Sequence, residues 1–147
     1  MAVIQDPQGA FFMVWQPGQH RGAGLVNAPG ALCWNELSTP DMDASASFYG
    51  DLFGWETQPF EQSPEPYFVI QNDGHANGGI RKANEPGPPP HWLVYFATAD
   101  LESARAKLGE LGGTEHAGPI DIGMAKISIV ADPQGAMFAL YDGQLEP

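Results

Sequence analysis

The side chains in this sequence that could bind or act on a small molecule alternate along three short apolar segments. Residues that are two positions apart on a β-strand place their side chains on the same face of the sheet. The segments ALCWNEL, HWLVYFAT and AMFALYD therefore predict one aromatic, apolar face with a single carboxylate and a single imidazole, as is typical of a pocket for a flat organic molecule. The predicted ligand-binding residues are Trp34, Glu36, His91, Leu93, Tyr95, Met137 and Tyr141.

Three members of this face have a second interpretation. Trp34 can be ordinary packing between modules of the fold, and His91, directly after three prolines, can be a residue at the edge of a loop. Glu36 can accept a hydrogen bond at the rim. If it is instead buried beside Trp34, it favours a cationic or amide-bearing ligand.

Nucleophilic and phosphate-binding motifs are absent from the sequence. There is no GxSxG, GxGxxG or P-loop pattern, and the Gly-rich NDGHANGG has neither a phosphate-binding Lys nor a following helix, so we interpret it as a turn. The single Cys33 excludes an internal disulfide and a Cys-based zinc site. It lies in an apolar segment, which predicts a buried and unreactive thiol.

Charge and hydropathy narrow the class of protein further. Six basic against 18 acidic residues give a formal net charge of −12, which disfavours binding to nucleic acid or to anionic membrane surfaces. No apolar run approaches the ~20 residues that a membrane-spanning helix needs. Met1 leads almost directly into a strand-like segment, so we expect a cytoplasmic protein.

The first half of the chain has a regular order of elements. Ala31–Leu37 is typical of a strand, and Asp41 is placed to cap a helix that runs through Phe53 and stops at Gly54. Three strand-like segments follow, namely ETQPF, PYFVIQ and GGIRK, and the proline-rich NEPGPPP then ends regular structure.

The second half repeats this order. HWLVYFAT is typical of a buried strand, Asp100 caps a second helix that ends at Gly112–Gly113, and AKISIVA and AMFALYD flank the turn DPQG. The two halves align without a gap at an offset of 59 residues, with both capping Asp residues in register. The sequence therefore predicts an internal duplication of a βαβββ module.

A second repeat consists of two similar segments, one near each end of the sequence. VIQDPQGAFFMVWQ near the N-terminus resembles SIVADPQGAMFALYDG near the C-terminus, and Asp132 lies 126 positions after Asp6. This spacing is too long for a stacked array of short repeats.

Two βαβββ modules with an FYGDLFGWE helix end and a final DPQGAMFALYD hairpin resemble the vicinal oxygen chelate superfamily, over about residues 29–143. That superfamily includes glyoxalase I, bleomycin-resistance proteins and extradiol dioxygenases. The resemblance implies an α+β fold in which the modules form a curled mixed sheet around a ligand cavity.

The resemblance also implies a domain organisation. Residues 1–16 look like the last hairpin of a preceding domain of the same kind, residues 17–28 like a linker, and residues 29–143 like the domain itself, with modules at 29–83 and 91–143. This arrangement is similar to the second domain of tandem glyoxalase-like proteins of actinobacteria, some of which are described as hydroxylases. We expect a homodimer, in which the N-terminal strand either docks on an edge of its own domain or exchanges with the partner.

Metal-dependent members of the superfamily place a ligand, usually His, seven residues before each capping Asp, and a Glu on the last strand of each module. In this sequence Trp34 and Leu93 stand at the first positions and Ala139 stands where the second Glu would be. The first module's GGIRK strand offers no His or Glu either. We therefore predict no metal and no cofactor.

The sequence is compatible with three functions. The first is a glyoxalase/bleomycin-resistance-type domain that binds a small aromatic or apolar molecule without metal. The second is a metal-dependent lyase, isomerase or dioxygenase with displaced ligands such as Glu36 and His91, although two ligands rarely make a tight site. The third is a structural or dimerisation domain.

Overall fold

The computed structural model describes residues 1–145, which divide into two compact units. Unit 1 comprises Met1–Gly22 and Asn35–Trp92, and unit 2 comprises Ala23–Trp34 and the residues from Leu93 onward.

An N-terminal hairpin precedes two successive βαβββ modules. In chain order the elements are β1 (Ala2–Gln5), β2 (Phe11–Val14), β3 (Leu32–Thr39), α1 (Met42–Phe53), β4 (Glu56–Pro59), β5 (Tyr67–Asn72), β6 (His75–Lys82), β7 (His91–Ala97), α2 (Leu101–Glu110), β8 (Thr114–Asp121), β9 (Ala125–Ala131) and β10 (Met137–Gly143). The predicted α+β class with two βαβββ modules is confirmed.

Both helices begin at the residues that the sequence indicates. Oδ1 of Asp41 accepts a hydrogen bond from the Ala44 N–H at 3.0 Å, and Oδ1 of Asp100 accepts one from the Ser103 N–H at 3.1 Å. These side chains satisfy backbone donors that the first helical turn leaves without a partner. Helix α1 ends at Gly54, whose φ of 74° is the left-handed conformation that glycine adopts without strain.

The sheet of unit 1 has the strand order β4-β5-β6-β3, with β3 and β6 parallel and the other pairs antiparallel. The NDGHANGG segment differs from the prediction: only its beginning is a turn, and from His75 it forms strand β6. Its glycines do not break the strand because β3 and β5 pair with it on both sides. The buried core of this unit contains Ala10, Leu37, Tyr49, Ile70 and Ile80.

The N-terminal hairpin packs on helix α1. Within the described residues, β1 and β2 pair only with each other, so the hairpin does not extend a sheet edge of its own domain. The ring of Phe12 makes edge-to-face contacts with Phe48, Tyr49 and Phe53. Ala10 is fully buried, and the hairpin is therefore part of the core of unit 1.

Unit 2 has the strand order β7-β10-β9-β8, with β7 and β10 parallel and the other pairs antiparallel. Leu93, Tyr95 and Ala139 form its buried centre. The helices of the described chain have 12 and 10 residues, and none is long and apolar enough to cross a membrane.

Candidate functional site

Unit 2 contains a cluster of aromatic and aliphatic side chains on β7, β9, β10 and the start of β3. Leu93, Tyr95 and Ala139 are 7 %, 4 % and 0 % exposed. The half-buried residues packed against them are Cys33, Trp34, Ile127, Ile129 and Tyr141. We call this set the unit 2 cluster.

The unit 2 cluster brings together four of the residues that the sequence predicts for ligand binding: Trp34, Leu93, Tyr95 and Tyr141. The parallel pairing of β7 with β10 sets Tyr95 opposite Ala139, and the alternation of β10 brings Tyr141 to the same face. Met137, at the start of β10, is 42 % exposed.

Burial changes the acid–base chemistry of two groups in this cluster. Loss of hydration raises the pKa of the Cys33 thiol to about 11, and its Sγ donates to the backbone carbonyl of Tyr95 at 3.5 Å. Burial, and secondly the nearby Cys33, raises the pKa of Tyr141, whose hydroxyl donates to the Gln144 carbonyl at 2.9 Å. Both groups are therefore neutral at pH 7. The cluster presents an uncharged surface, which suits an uncharged aromatic ligand.

The two polar residues of the prediction lie in unit 1, and each has a defined contact. Oε2 of Glu36 accepts a hydrogen bond from the Tyr67 hydroxyl at 3.1 Å, and both residues are half-buried. Nδ1 of His91 lies 2.8 Å from the Pro89 carbonyl oxygen and can donate to it.

Tyr67 is a polar contact that the sequence prediction missed. It stands at the start of β5, next to the turn before it, and pairs with Arg81 across the β5–β6 ladder. A Cβ built on Gly79 would collide with the Tyr67 hydroxyl, so the phenol occupies the space that a side chain at position 79 would fill. The glycine pair in NDGHANGG was the available signal, because glycine in a strand often marks a close approach by another group.

The sheet register identifies Gly79 as the first-module counterpart of Ala139. Glu36 pairs with Gly79 in the parallel β3–β6 ladder, and Tyr95, the repeat counterpart of Glu36, pairs with Ala139 in the parallel β7–β10 ladder. Gly79 therefore stands at the position where the resemblance implies a first-module Glu.

The residues at the family's metal-ligand positions do not fit a metal ion. Trp34, Leu93, Gly79 and Ala139 offer neither an imidazole nor a carboxylate, which are the ligands that Mn, Fe, Ni and Zn take in such sites. Among residues 1–145, no group of three His, Cys, Asp or Glu side chains converges on a common point.

Two open clefts lie elsewhere in unit 1. One, of about 480 Å³, is lined by Pro40, Glu65, Pro66, Lys82, Asn84 and Glu85, and the other, of about 410 Å³, lies beside the β5–β6 turn at Asp73. Neither is lined by a predicted ligand-binding residue.

The family model of the Glyoxalase/Bleomycin resistance protein/Dioxygenase superfamily matches residues 32–140. The chain therefore belongs to this superfamily, and the resemblance predicted from its sequence motifs is confirmed.

Curated relatives support the same family and are longer than this chain. The protein CFP32 of Mycobacterium bovis, named as a glyoxylase, is 38 % identical over 142 residues, which are 95 % of this chain and 54 % of the relative. The anthracycline biosynthesis protein DauV of Streptomyces sp. strain C5 is 32 % identical over 145 residues, 97 % of this chain and 52 % of the relative. The chain thus spans about half the length of these relatives.

Solved structures share the fold. The methylmalonyl-CoA epimerase of Mycobacterium tuberculosis matches with a TM-score of 0.58 at 14 % identity, over 84 % of this chain and 94 % of the epimerase chain. That of Streptomyces coelicolor, in a complex with 2-nitronate-propionyl-CoA, matches with a TM-score of 0.58 at 17 % identity, over 82 % of this chain and all of the other. At these identities the likeness extends to the fold alone.

Proposed function

We propose that this domain binds a small, flat, aromatic or apolar organic molecule and does so without the metal ion of its metal-dependent relatives. The observation that carries the proposal is the set of residues at the four ligand positions, Trp34, Leu93, Gly79 and Ala139, none of which can coordinate a metal.

The unit 2 cluster is the apolar contact surface in this proposal. Trp34 and Tyr141, which are half-buried, offer neutral aromatic faces on which a flat ring can stack, and Met137 adds a flexible thioether. Leu93 and Tyr95, at 7 % and 4 % exposed, pack against these two residues and support them. Glu36 and His91, the polar residues of the sequence prediction, lie in unit 1 and stay a prediction from the sequence.

The names of the relatives agree with a small-molecule ligand of this kind. Anthracyclines are planar fused-ring molecules, and DauV is named for their biosynthesis. A metal-dependent lyase, isomerase or dioxygenase with displaced ligands is the second candidate, and of these the name of CFP32 favours a glyoxalase-like lyase.

The proposal extends to assembly and domain limits. Two chains form a homodimer, in which the N-terminal hairpin can exchange between partners. The exposed side chains Val3, Phe11, Met13 and Trp15, at 66 %, 63 %, 63 % and 54 %, support an interaction surface on the outer side of the hairpin. Residues 1–16 then belong to the end of a preceding module, 17–28 to a linker and 29–143 to the domain. Light scattering on the purified chain, with and without residues 1–16, tests the dimer and the contribution of the hairpin.

Two measurements on the same preparation test the function. The protein is incubated with Mn, Fe, Ni, Co and Zn, desalted and analysed for metal. It is then titrated with an anthracycline while its thermal unfolding is followed, because a ligand that binds only the folded state raises the midpoint. We expect no retained metal and a rise in midpoint that grows with ligand concentration.

Matched tryptophan variants locate the binding surface. Trp34→Leu removes an aromatic face from the unit 2 cluster and should weaken binding about tenfold, whereas Trp15→Leu, on the exposed hairpin, should leave it unchanged. About one bound metal per chain or per dimer would reject the proposal in favour of a metal-dependent enzyme, to be assayed on glyoxalase and dioxygenase substrates. No metal and no ligand effect would favour a structural or dimerisation domain.

A further inference from the structure

The N-terminal hairpin is apolar on both of its sides, but helix α1 covers only one. On the inner side, Phe12 contacts Phe48 and Tyr49 of α1. Phe11 and Met13, its neighbours in sequence, point to the other side because successive side chains on a strand alternate. Both are 63 % exposed. The hairpin therefore packs one apolar side on its own unit and presents a second one to solvent.

The exposed side chains form one continuous surface, which we call the outer face and which consists of Val3, Phe11, Met13 and Trp15. Val3 pairs with Met13 across the β1–β2 ladder, and Phe11 and Trp15 lie two residues before and after Met13. Side chains at such positions are neighbours on one face of a hairpin. At their observed exposures they present about 500 Å² of mostly apolar surface, a size at which exposed patches are often functional.

We propose that the outer faces of two copies of this chain pack against each other around a twofold axis. The inference deepens the homodimer of the proposed function, and it rests on that proposal for the existence of a dimer. It names a different contact, however. Exchange of hairpins only reproduces the packing of the inner side on α1 and leaves the outer face exposed, so exchange alone does not account for this surface.

Charge favours a second copy at this surface. Two chains with a net charge of −12 repel each other, so they meet most readily where few charges come together. Asp6 is the only charged side chain among residues 1–16, and it is 5 % exposed, with its carboxylate bonded to the Tyr49 hydroxyl. The outer faces can therefore meet without bringing acidic side chains together. The same net charge disfavours nucleic acid and anionic membranes as partners.

The residues that border the outer face are engaged within the N-terminal segment. Gln5 stands opposite Phe11 in the ladder, and its Nε2 donates to the carbonyl oxygen of Gly9 at 3.0 Å. The ring of Trp15 has an edge-to-face contact with His20, at a centroid distance of 5.6 Å. The face thus offers aromatic and aliphatic groups, which suit an equally apolar partner such as the identical face of a second chain.

The area of the outer face fits a weak dimer. Packing of two such faces would bury about 1,000 Å² in total, which is at the lower limit for a specific interface between proteins. We therefore expect monomer and dimer to be in equilibrium at about 1–100 μM protein. Salt should strengthen the dimer, because it screens the repulsion between two anionic chains while the apolar contact remains.

Sedimentation equilibrium of the full chain tests the inference with the matched variants Met13→Lys and Met124→Lys. Met13 lies at the centre of the outer face, whereas Met124, which is 55 % exposed, lies between β8 and β9 in unit 2. Each substitution adds one positive charge to an anionic chain, so a difference between the two variants does not come from net charge. Thermal unfolding checks that both variants fold.

We expect the wild-type chain to dimerise as its concentration rises, and more tightly at high salt than at low salt. Met13→Lys should weaken the dimer at least about tenfold, because it places a charge in an apolar contact. Met124→Lys should dimerise like the wild type. Trp15→Ser is a second variant of the outer face, at a position outside the β1–β2 ladder, and it should weaken the dimer in the same direction.

The failures of the two proposals are distinguishable. A dimer that both variants of the outer face leave intact, or one that salt weakens, overturns the contact between outer faces while a homodimer formed by exchange stands. A wild-type chain that stays monomeric over the whole concentration range overturns the contact and the dimer together. Neither result bears on small-molecule binding, which the ligand titration and the metal analysis test separately.

Discussion

The hydroxyl of Tyr49 on helix α1 donates a hydrogen bond to Oδ2 of Asp6 at 2.8 Å, across 43 positions of sequence. The same hydroxyl accepts a bond from Nε1 of Trp92 at 3.0 Å. Burial raises the pKa of Tyr49 well above its ordinary value, so its hydroxyl is a protonated donor at pH 7. This network ties the N-terminal hairpin to the core of unit 1.

Asp6 and Asp132 form the same turn in two different surroundings. Oδ1 of Asp6 accepts from the N–H groups of Gln8 and Ala10 at 3.0 and 2.8 Å, and Oδ1 of Asp132 accepts from Gln134 and Ala136 at 2.9 Å each. The two DPQG segments therefore have the same local geometry, and within the described contacts the buried bond to Tyr49 distinguishes them.

This difference predicts unequal costs for one substitution. Asp6→Ala and Asp132→Ala both remove the two turn hydrogen bonds, but Asp6→Ala also leaves the buried Tyr49 hydroxyl without its acceptor. Such a loss costs about 1–3 kcal/mol. We expect Asp6→Ala to lower the free energy of unfolding by about that much more than Asp132→Ala, as measured by urea titration. Equal losses would show that the Tyr49 contact contributes nothing to stability.

Two glycines of the helices should respond in opposite directions to alanine. Gly54 has φ of 74° at the end of α1, a conformation that costs an L-residue about 1 kcal/mol. Gly109 lies within α2 with no neighbouring atom within 4 Å of an added Cβ, so alanine there should add about 0.5–1 kcal/mol of helix stability. Thermal unfolding of Gly54→Ala and Gly109→Ala should thus show midpoints below and above the wild type. A raised midpoint for Gly54→Ala would contradict this account.

The raised pKa of Cys33 predicts slow alkylation. At pH 8 a thiol with a pKa of about 11 is only about 0.1 % thiolate, compared with about a quarter for an ordinary cysteine. The native chain should react with a disulfide reagent at least 100-fold more slowly than the chain unfolded in urea, and its rate should rise about tenfold per pH unit up to pH 10. A Cys33→Ala/Gln62→Cys variant, with its thiol on an exposed turn, provides the control. Equal rates in native and unfolded chains would refute the burial of this thiol.

Asp100, the N-terminal cap of helix α2, should contribute to the loss of folding stability at low pH. The backbone N–H and then the hydroxyl of Ser103 hold the pKa of Asp100 below its ordinary value. A lowered folded-state pKa stabilises the fold above the unfolded value, about 3.9, and this contribution is lost as the pH falls through the folded value. Asp100→Asn keeps a capping side chain without a titrating proton. Its unfolding free energy should therefore depend less on pH between about 5 and 2 than that of the wild type.

The control for this prediction is Glu61→Gln, which removes a carboxylate from an exposed turn. Its pH dependence should match the wild type. An unchanged acid slope in Asp100→Asn would mean that the cap is not linked to the acid stability of the fold.

Much of the fold could be predicted because its signals are local. Asp41, Asp100 and Gly54 mark helix ends through contacts within a few residues, and those contacts form whatever the rest of the chain does. The glycine-rich segment after Asn72 was predicted correctly at its turn, Asp73–Gly74, and in the GGIRK strand, but His75–Asn77 was wrongly predicted as part of the turn for the same reason. Its glycines favour a turn locally, but pairing with β3 and β5 makes residues from His75 onward a strand.

The candidate site could be predicted only in part. Alternation indicated that Leu93 and Tyr95 share a face of β7, and that Ala139 and Tyr141 share a face of β10, since each pattern lies within a single strand. The contact of Tyr67 with Glu36, and the equivalence of Gly79 and Ala139, depend on strand register, which a single sequence does not specify. The hydrogen bond between Asp6 and Tyr49 was not predicted, because the residues of the DPQG turn do not indicate which distant side chain contacts Asp6.

The hairpin of residues 1–16 behaves in thermodynamic terms as a tethered ligand of unit 1. Residues 17–26, which tether it, are all exposed, so a protease can cut them while Phe12 and Asp6 keep their contacts with α1. The tether supplies an effective concentration in the millimolar range, and a cut converts docking into an ordinary bimolecular equilibrium. A free peptide of residues 1–16 should then bind a chain that begins at residue 29. In the proposed dimer, an exchange of hairpins between two intact chains would therefore create no new contact.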